Sequence, residues 1–180
     1  MKLNNHKKVS FLISGEGSNL LEILKKNHIN KDFKVIAIIS NNNISTKIKS
    51  FVGKFYKDVL VKEYQRTLQK ENFNNTDIIF SVGYMKVIEN RIINNFDVIN
   101  LHPSILPNYK GLMTQKRMLI NNEKYYGFTI HKVSPELDNG QTISNKTKKT
   151  ITKNEIELSK KHKRLEHKFV YKQFVDYLLN

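Results

Sequence analysis

A doubly wound α/β fold, with helices on both faces of an open and mostly parallel sheet, is what this sequence predicts. The first ground is alternation: short apolar runs of strand length are interleaved with stretches whose apolar residues recur at helical spacing. The second is size, since 180 residues with 39% hydrophobic content suffice for one substantial core. The third is punctuation. All three prolines, Pro103, Pro107 and Pro135, fall inside two short motifs of the second half, and no repeat, proline-rich linker or composition break divides the chain. Residues 1–180 therefore read as a single domain.

Taken in order, residues 9–13 (VSFLI) suit a buried strand that stops at Gly15 and Gly17. Leu20, Leu21 and Leu24 then recur at helical spacing, with Ile23 widening the apolar face. Residues 35–39 (VIAII) form a second buried strand, ended by Asn41, Asn42 and Asn43. A weaker helix–strand–helix follows, its strand at 59–61. Residues 77–82 and 97–100 are two more strands, separated by a helix carrying Ile88, Ile92 and Ile93. Residues 128–133 (FTIHKV) alternate as a strand with one drier face. From about 155 to 179 a long helix is expected, with Leu158, Leu165, Phe169, Phe174 and Leu178 on or near one stripe.

Composition removes several function classes. There is no cysteine, so disulfides and thiolate metal sites are excluded. The six histidines form no ligand pattern, and His162 and His167, five apart, fit one helix face poorly; no metal is expected. The start is basic, but the apolar run at 9–13 is shorter than a signal-peptide core and far shorter than a membrane span. A cytoplasmic protein without membrane contact is the expectation, as a monomer or homodimer. The formal charge of +15 invites a nucleic-acid reading. The lysines, however, are scattered among asparagine and isoleucine, and the densest stretch, residues 160–164, sits in a helical pattern and reads as a solvated face. No nucleic-acid motif accompanies it, so that partner is not expected; the positive field suits an anionic small molecule instead.

Two motifs carry chemistry. One is INLHPSILP at 99–107 followed by Gly111; the other is SPELDNG at 134–140. Asn100 and His102 lie two residues apart at the end of a predicted strand, so both side chains leave the same side. In open parallel sheets that strand end is where ligands bind. An amide, an imidazole and the carboxylate of Asp138 can together stabilise a tetrahedral oxyanion and relay the proton released when an amine attacks an acyl carbon. Bland readings exist for each: Asn100 as a turn cap, His102 packed under Pro103, Asp138 bonding its own backbone in an Asp-Asn-Gly turn. The loop SGEGSN at 14–19 joins the first strand to the first helix. Its backbone N–H groups, the helix N-terminus and the Ser18 hydroxyl suit an anion, or the glycines simply serve a tight turn. The loop lacks the dinucleotide spacing and the P-loop lysine, so neither a nicotinamide cofactor nor ATP is indicated.

These motifs recur in one order: SG-x-GSNL at 14–20, GYMK at 83–86, NLHPSILP at 100–107, Gly111-Leu112, LD-x-G at 137–140 and Leu165-Glu166-His167. In that order the chain resembles the folate-dependent formyltransferase family, from about residue 8 to the C-terminus and most thinly between Asn41 and Asn75. The glycine-serine loop and the terminal Glu-His pair resemble the members that act on phosphoribosylglycinamide. The resemblance implies a formyltransferase-type, Rossmann-like domain that moves a formyl group from 10-formyltetrahydrofolate, as co-substrate, to the primary amine of a phosphorylated small molecule in purine biosynthesis. It implies Asn100, His102 and Asp138 as the catalytic trio. Gly17, Ser18 and Asn19 would hold the substrate phosphate, Glu166 would reach the substrate from the last helix, and His131 would lie near the reaction centre. Tyr84, Met85, Lys86, Val87 and Ile88 would line the folate site, largely through backbone groups. On their own, Glu166 reads as a solvated helix residue and His131 as an ordinary strand residue. Alternatives within the family are an amino sugar or other small amine as acceptor, or a weakened relative that only binds ligand.

Several positions depart from the family pattern. Met113 and Gln115 stand where histidines are common, Asn139 replaces a glycine, and Lys86 replaces an arginine. Glu16 places a carboxylate in the proposed phosphate loop, where it repels an anion unless it points outward.

Overall fold

The computed structural model describes residues 6–149 and 152–180, and the chain forms two compact units that meet in sequence between Val98 and Ile99. In the first, β1 (Lys8–Ile13) lies between β2 (Lys34–Ser40) and β4 (Ile78–Ser81), with β3 (Leu60–Lys62) outside β2; every pair is parallel. Phe11 pairs with Ile38 on one side and Phe80 on the other. Parallel strands covered on both faces need unbroken apolar runs, and Phe11, Leu12, Ile38, Ile39, Ile79 and Phe80 are all fully buried. The outer strand β3 shows the opposite, with Leu60 and Val61 exposed.

Helix α1 (Ser18–Asn30) buries Leu20, Ile23 and Leu24. Its end is tied down by Asn27, whose buried carboxamide donates to the Phe33 carbonyl at 3.0 Å and accepts from the Phe33 N–H at 3.1 Å. That exchange satisfies the backbone of the turn into β2. Helix α2 (Thr46–Phe55) buries Ile48 and Val52, while the second helix expected in this weak stretch is one 3-10 turn, Lys70–Phe73. The helix predicted to carry Ile88, Ile92 and Ile93 is also shorter: α3 spans Asn90–Ile93. Ile88 is buried from the chain before it, since the helix starts only after Glu89.

Strand β5 (Asp97–His102) leads into the second unit, where β6 (Tyr125–Lys132) and β7 (Thr142–Lys149) continue in the order β5-β6-β7, both pairs antiparallel. Helix α4 (Thr114–Ile120) precedes β6 and α5 (Glu155–Leu179) closes the chain. Strand β7, TISNKTKK, has no apolar face and so leaves no periodic signal in the sequence. Helix α5 matches the expected range. Its Asn154 side chain accepts from the Glu157 N–H at 3.0 Å, an N-cap that removes one unpaired donor. Leu158, His162, Leu165, Glu166, Val170, Tyr171, Phe174 and Leu178 make its buried stripe. Phe169 falls beside that stripe, partly exposed, with the ammonium groups of Lys146 and Lys168 above its ring at 4.7 and 5.3 Å. Among the described residues no helix is long and apolar enough to cross a membrane.

Candidate active site

Strand pairing assembles the polar cluster of the second unit. The antiparallel register sets Asn100 opposite His131 and His102 opposite Thr129. Cross-strand partners share a face, so the Asn100 carboxamide meets the His131 ring, Nδ2 to Nε2, at 3.2 Å. Asp138 reaches the same cluster from the loop after β6. Its Oδ2 lies 3.3 Å from His102 Nδ1 and its Oδ1 3.6 Å from His131 Nε2. His102 and His131 are buried, at 4% and 2% exposure, which excludes bulk water from the ring nitrogens and strengthens each of these contacts.

Backbone groups fix the two loops around this cluster. His102 Nε2 is 2.9 Å from the Tyr109 carbonyl, which can only accept, so that nitrogen carries a proton. Its Nδ1 faces the carboxylate, where a second ring proton would be held by Asp138. The Gly111 N–H donates to Asp138 Oδ2 at 2.8 Å and so ties the two motifs together. The proline loop is stapled to β6 by buried Thr129, whose hydroxyl donates to the Ser104 carbonyl at 2.8 Å and accepts from the Leu106 N–H at 3.1 Å. Nothing in the sequence singles out Thr129 or Tyr109, whereas Gly111 belongs to the first motif. The register of β5 against β6 would have pointed to Thr129; a backbone carbonyl leaves no trace in residue identity.

Burial pushes the His131 imidazole below its ordinary value, and nearby His102 adds to this; the Lys132 carbonyl and the charge of Asp138 offset it only in part. The neutral ring is thus favoured. Its Nδ1 donates to the Lys132 carbonyl at 2.8 Å, which leaves the Nε2 lone pair for the Asn100 amide. Glu166 is buried on α5 within the same unit. That placement differs from the solvated helix position its sequence context alone suggests.

The other residues singled out in the sequence, in the glycine-serine loop and at 84–88, lie in the first unit. Gly17 adopts a φ of 59° at the N-terminus of α1, a left-handed conformation that favours glycine. Ser18 and Asn19 begin the helix, and residues 14–19 with Val82, Gly83 and Met85 line a cavity of about 200 Å³. Backbone N–H groups at a helix start suit an anion. Glu16 is exposed, and its carbonyl accepts from the Ser45 hydroxyl at 3.0 Å. Met85 and Val87 are exposed apolar side chains, whereas Ile88 is buried; Lys86 donates to the Arg66 carbonyl at 3.2 Å. The Tyr84 phenol is pushed up to about 12, first by burial and then by the charge of Glu89, so it stays protonated.

The departures from pattern also have places. Asn139 is a surface residue whose amide donates to Glu136 Oε2 and whose carbonyl oxygen accepts from Lys110 Nζ, both at 2.5 Å. Met113, with a φ of 57°, precedes α4 and is exposed; Gln115 accepts from the Thr114 hydroxyl at 2.9 Å. Among the described residues no three His, Cys, Asp or Glu side chains are grouped so as to hold a metal ion.

Comparison with known proteins gives the cluster its context. The formyl transferase family model matches residues 7–174. The phosphoribosylglycinamide formyltransferase of Haemophilus influenzae is 29% identical over 155 residues, 76% of this chain and 70% of that protein. Its Escherichia coli counterpart is 30% identical over 144 residues, 73% of this chain and 68% of that protein. Among solved structures, the phosphoribosylglycinamide formyltransferase of Campylobacter jejuni superposes with a TM-score of 0.78 at 26% identity, over 95% of this chain and 97% of that one. The fold is the one those enzymes share: a seven-stranded, mostly parallel sheet with helices.

Proposed function

The chain belongs to the formyl transferase family, and from that premise we infer that it transfers a formyl group from 10-formyltetrahydrofolate to the primary amine of 5′-phosphoribosylglycinamide, a step of purine biosynthesis. The observation that carries the reading is the meeting of half-buried Asn100 and Asp138 with buried His102 and His131. Acyl transfer to an amine needs donors aimed at an oxygen that becomes negative and a path for the amine's proton. An amine resembling an α-amino group, with a pKa of about 8, already supplies free base near neutrality.

In this mechanism the amine nitrogen adds to the formyl carbon, the carbonyl electron pair moves onto oxygen, and the tetrahedral species then collapses with cleavage of the carbon's bond to the folate nitrogen. The Asn100 amide and the His102 ring donate to the developing oxyanion, and Asp138 stabilises the ring when it carries both protons. The proton lost by the amine replaces the formyl group on the folate nitrogen. For His102 to donate, its Nε2 proton leaves the Tyr109 carbonyl that accepts it in the ligand-free protein; such rearrangement on ligand binding is common at catalytic hydrogen bonds. Gly17, Ser18 and Asn19 receive the substrate phosphate, Glu166 contacts the substrate, and residues 84–88 bind the folate. The single family model running across both units supports treating residues 1–180 as one catalytic domain. A cytoplasmic setting, with a phosphorylated small molecule and folate as partners and no metal, completes the reading.

The test follows folate deformylation by absorbance with glycinamide ribonucleotide, with amino-sugar nucleotides and without acceptor. Turnover is expected in the first mixture alone, and turnover only with an amino sugar would overturn the acceptor assignment. Asn100→Ala should lower kcat by about a hundred- to a thousandfold, the usual cost of one oxyanion donor.

A further inference from the structure

We propose that His131 is a positioning residue whose unprotonated Nε2 sets the direction of the Asn100 carboxamide, keeping its N–H groups rather than its carbonyl in the acyl-binding cluster. The inference rests on the formyltransferase reading of the same site but concerns how its amide is held.

A carboxamide is nearly symmetric in shape, so sterics alone do not choose between its two orientations; its hydrogen-bond partners do. At Asn100 that partner is His131 Nε2, 3.2 Å from Nδ2. The other ring nitrogen is committed to the Lys132 carbonyl at 2.8 Å, and a carbonyl cannot donate, so the proton of the neutral ring sits on Nδ1. Nε2 is then an acceptor, and only the NH2 end of Asn100 satisfies it. One N–H of that group goes to His131, and the second stays available for an acyl oxygen.

The reverse state is equally well defined. With a proton on Nε2 the ring would repel the Asn100 NH2 group and turn to Asp138 Oδ1, 3.6 Å away. Asn100 would then have to present its carbonyl oxygen, and Asp138 would be shared between His131 and His102. The titratable groups facing His131 are thus His102, on β5 with ring centroids 6.4 Å apart, and Asp138, on the following loop. On β7 its partner is Thr142, and the Lys132 ammonium is drawn away to the Tyr177 hydroxyl of α5. Burial of the ring favours the neutral state near neutrality, in line with the geometry.

Two measurements test this. In ligand-free wild-type protein, ring-nitrogen and side-chain amide resonances are followed by NMR from about pH 8 to about pH 5. His131 is expected as the Nδ1–H tautomer, protonating below the ordinary histidine value, with the Asn100 amide signals moving in step. An Nε2–H tautomer at neutral pH, or Asn100 signals indifferent to that titration, would overturn the proposal.

In the assay, His131→Leu removes the acceptor and should lower kcat at least about tenfold while KM changes less than about threefold. His131→Gln restores a carbonyl acceptor and should recover most of the loss while abolishing the acid limb of the pH–rate profile that His131 contributes. Equal losses in both variants, or wild-type kcat in the leucine variant, would refute it. If the leucine variant does not fold, the glutamine profile and the resonances decide. A wild-type protein without formyl transfer would sink the functional reading alone, and the NMR titration would still judge the amide.

Discussion

At Gly140 a Cβ would stand 1.8 Å from the Lys132 carbonyl oxygen, closer than any relaxed side chain tolerates. That same carbonyl anchors the His131 ring. Gly140→Ala should therefore cost stability, by about 2–3 kcal/mol, because main chain rather than a flexible side chain must yield. It should lower kcat as well, and a urea titration beside the formyl-transfer assay reads both effects. Asp138, two residues earlier, holds a φ of 48°, an unusual conformation that two partners on its Oδ2 help to secure. At this scale the sequence was most legible where motifs were rigid and specific. Asn100, His102 and Asp138 stood out from their proline-flanked and turn-forming surroundings, and the structure brings all three together. His131 was named only through family resemblance, because its significance lies in a pairing register that residue spacing alone does not give. Glu16 and Asn139 are both exposed, and Glu16 belongs to the loop that lines the cavity at the start of α1.

Among the elements, α5 combines a long apolar stripe with one buried histidine. His162 is 2% exposed, and its Nδ1 lies 3.3 Å from the Leu158 carbonyl. Burial pushes this imidazole below the ordinary 6.5, with the Leu158 and Gly127 carbonyls offsetting only part of the effect. The unfolded chain therefore takes up the proton first as pH falls below about 6.5, and stability declines until the folded protein is protonated too. His131 is shifted the same way and adds to the decline. The urea midpoint should be lower at about pH 5.5 than at about pH 7.5, and His162→Leu should shrink that difference. An undiminished difference in the variant would assign the effect elsewhere. Elements were legible in proportion to their apolar periodicity. The buried strands β1, β2 and β4 and the helix α5 appeared near their true bounds. Strand β7 did not, since its residues are held by pairing to β6 rather than by a hydrophobic face, and α4 is too short to show a period.

For the whole molecule the dominant property is the charge of +15. Such a field attracts a phosphorylated substrate over a distance that salt shortens, about 10 Å at 0.1 M and 3 Å at 1 M. KM for the phosphorylated amine should rise a few-fold between about 0.05 and 0.5 M salt, with a smaller change in kcat. A salt-independent KM would mean that local contacts alone govern capture. The charge was plain from composition, as was the α/β class from alternation; the antiparallel return through β6 and β7 was not, because direction of pairing is a long-range property. That return leaves β7 at the end of the strand order, carrying Lys146, Lys148 and Lys149. An outermost strand invites its counterpart in another molecule to zip alongside, and ammonium groups oppose that approach. Two such borders drawn together would crowd like charges in water. Lysines along such a border thus disfavour fibrous self-association.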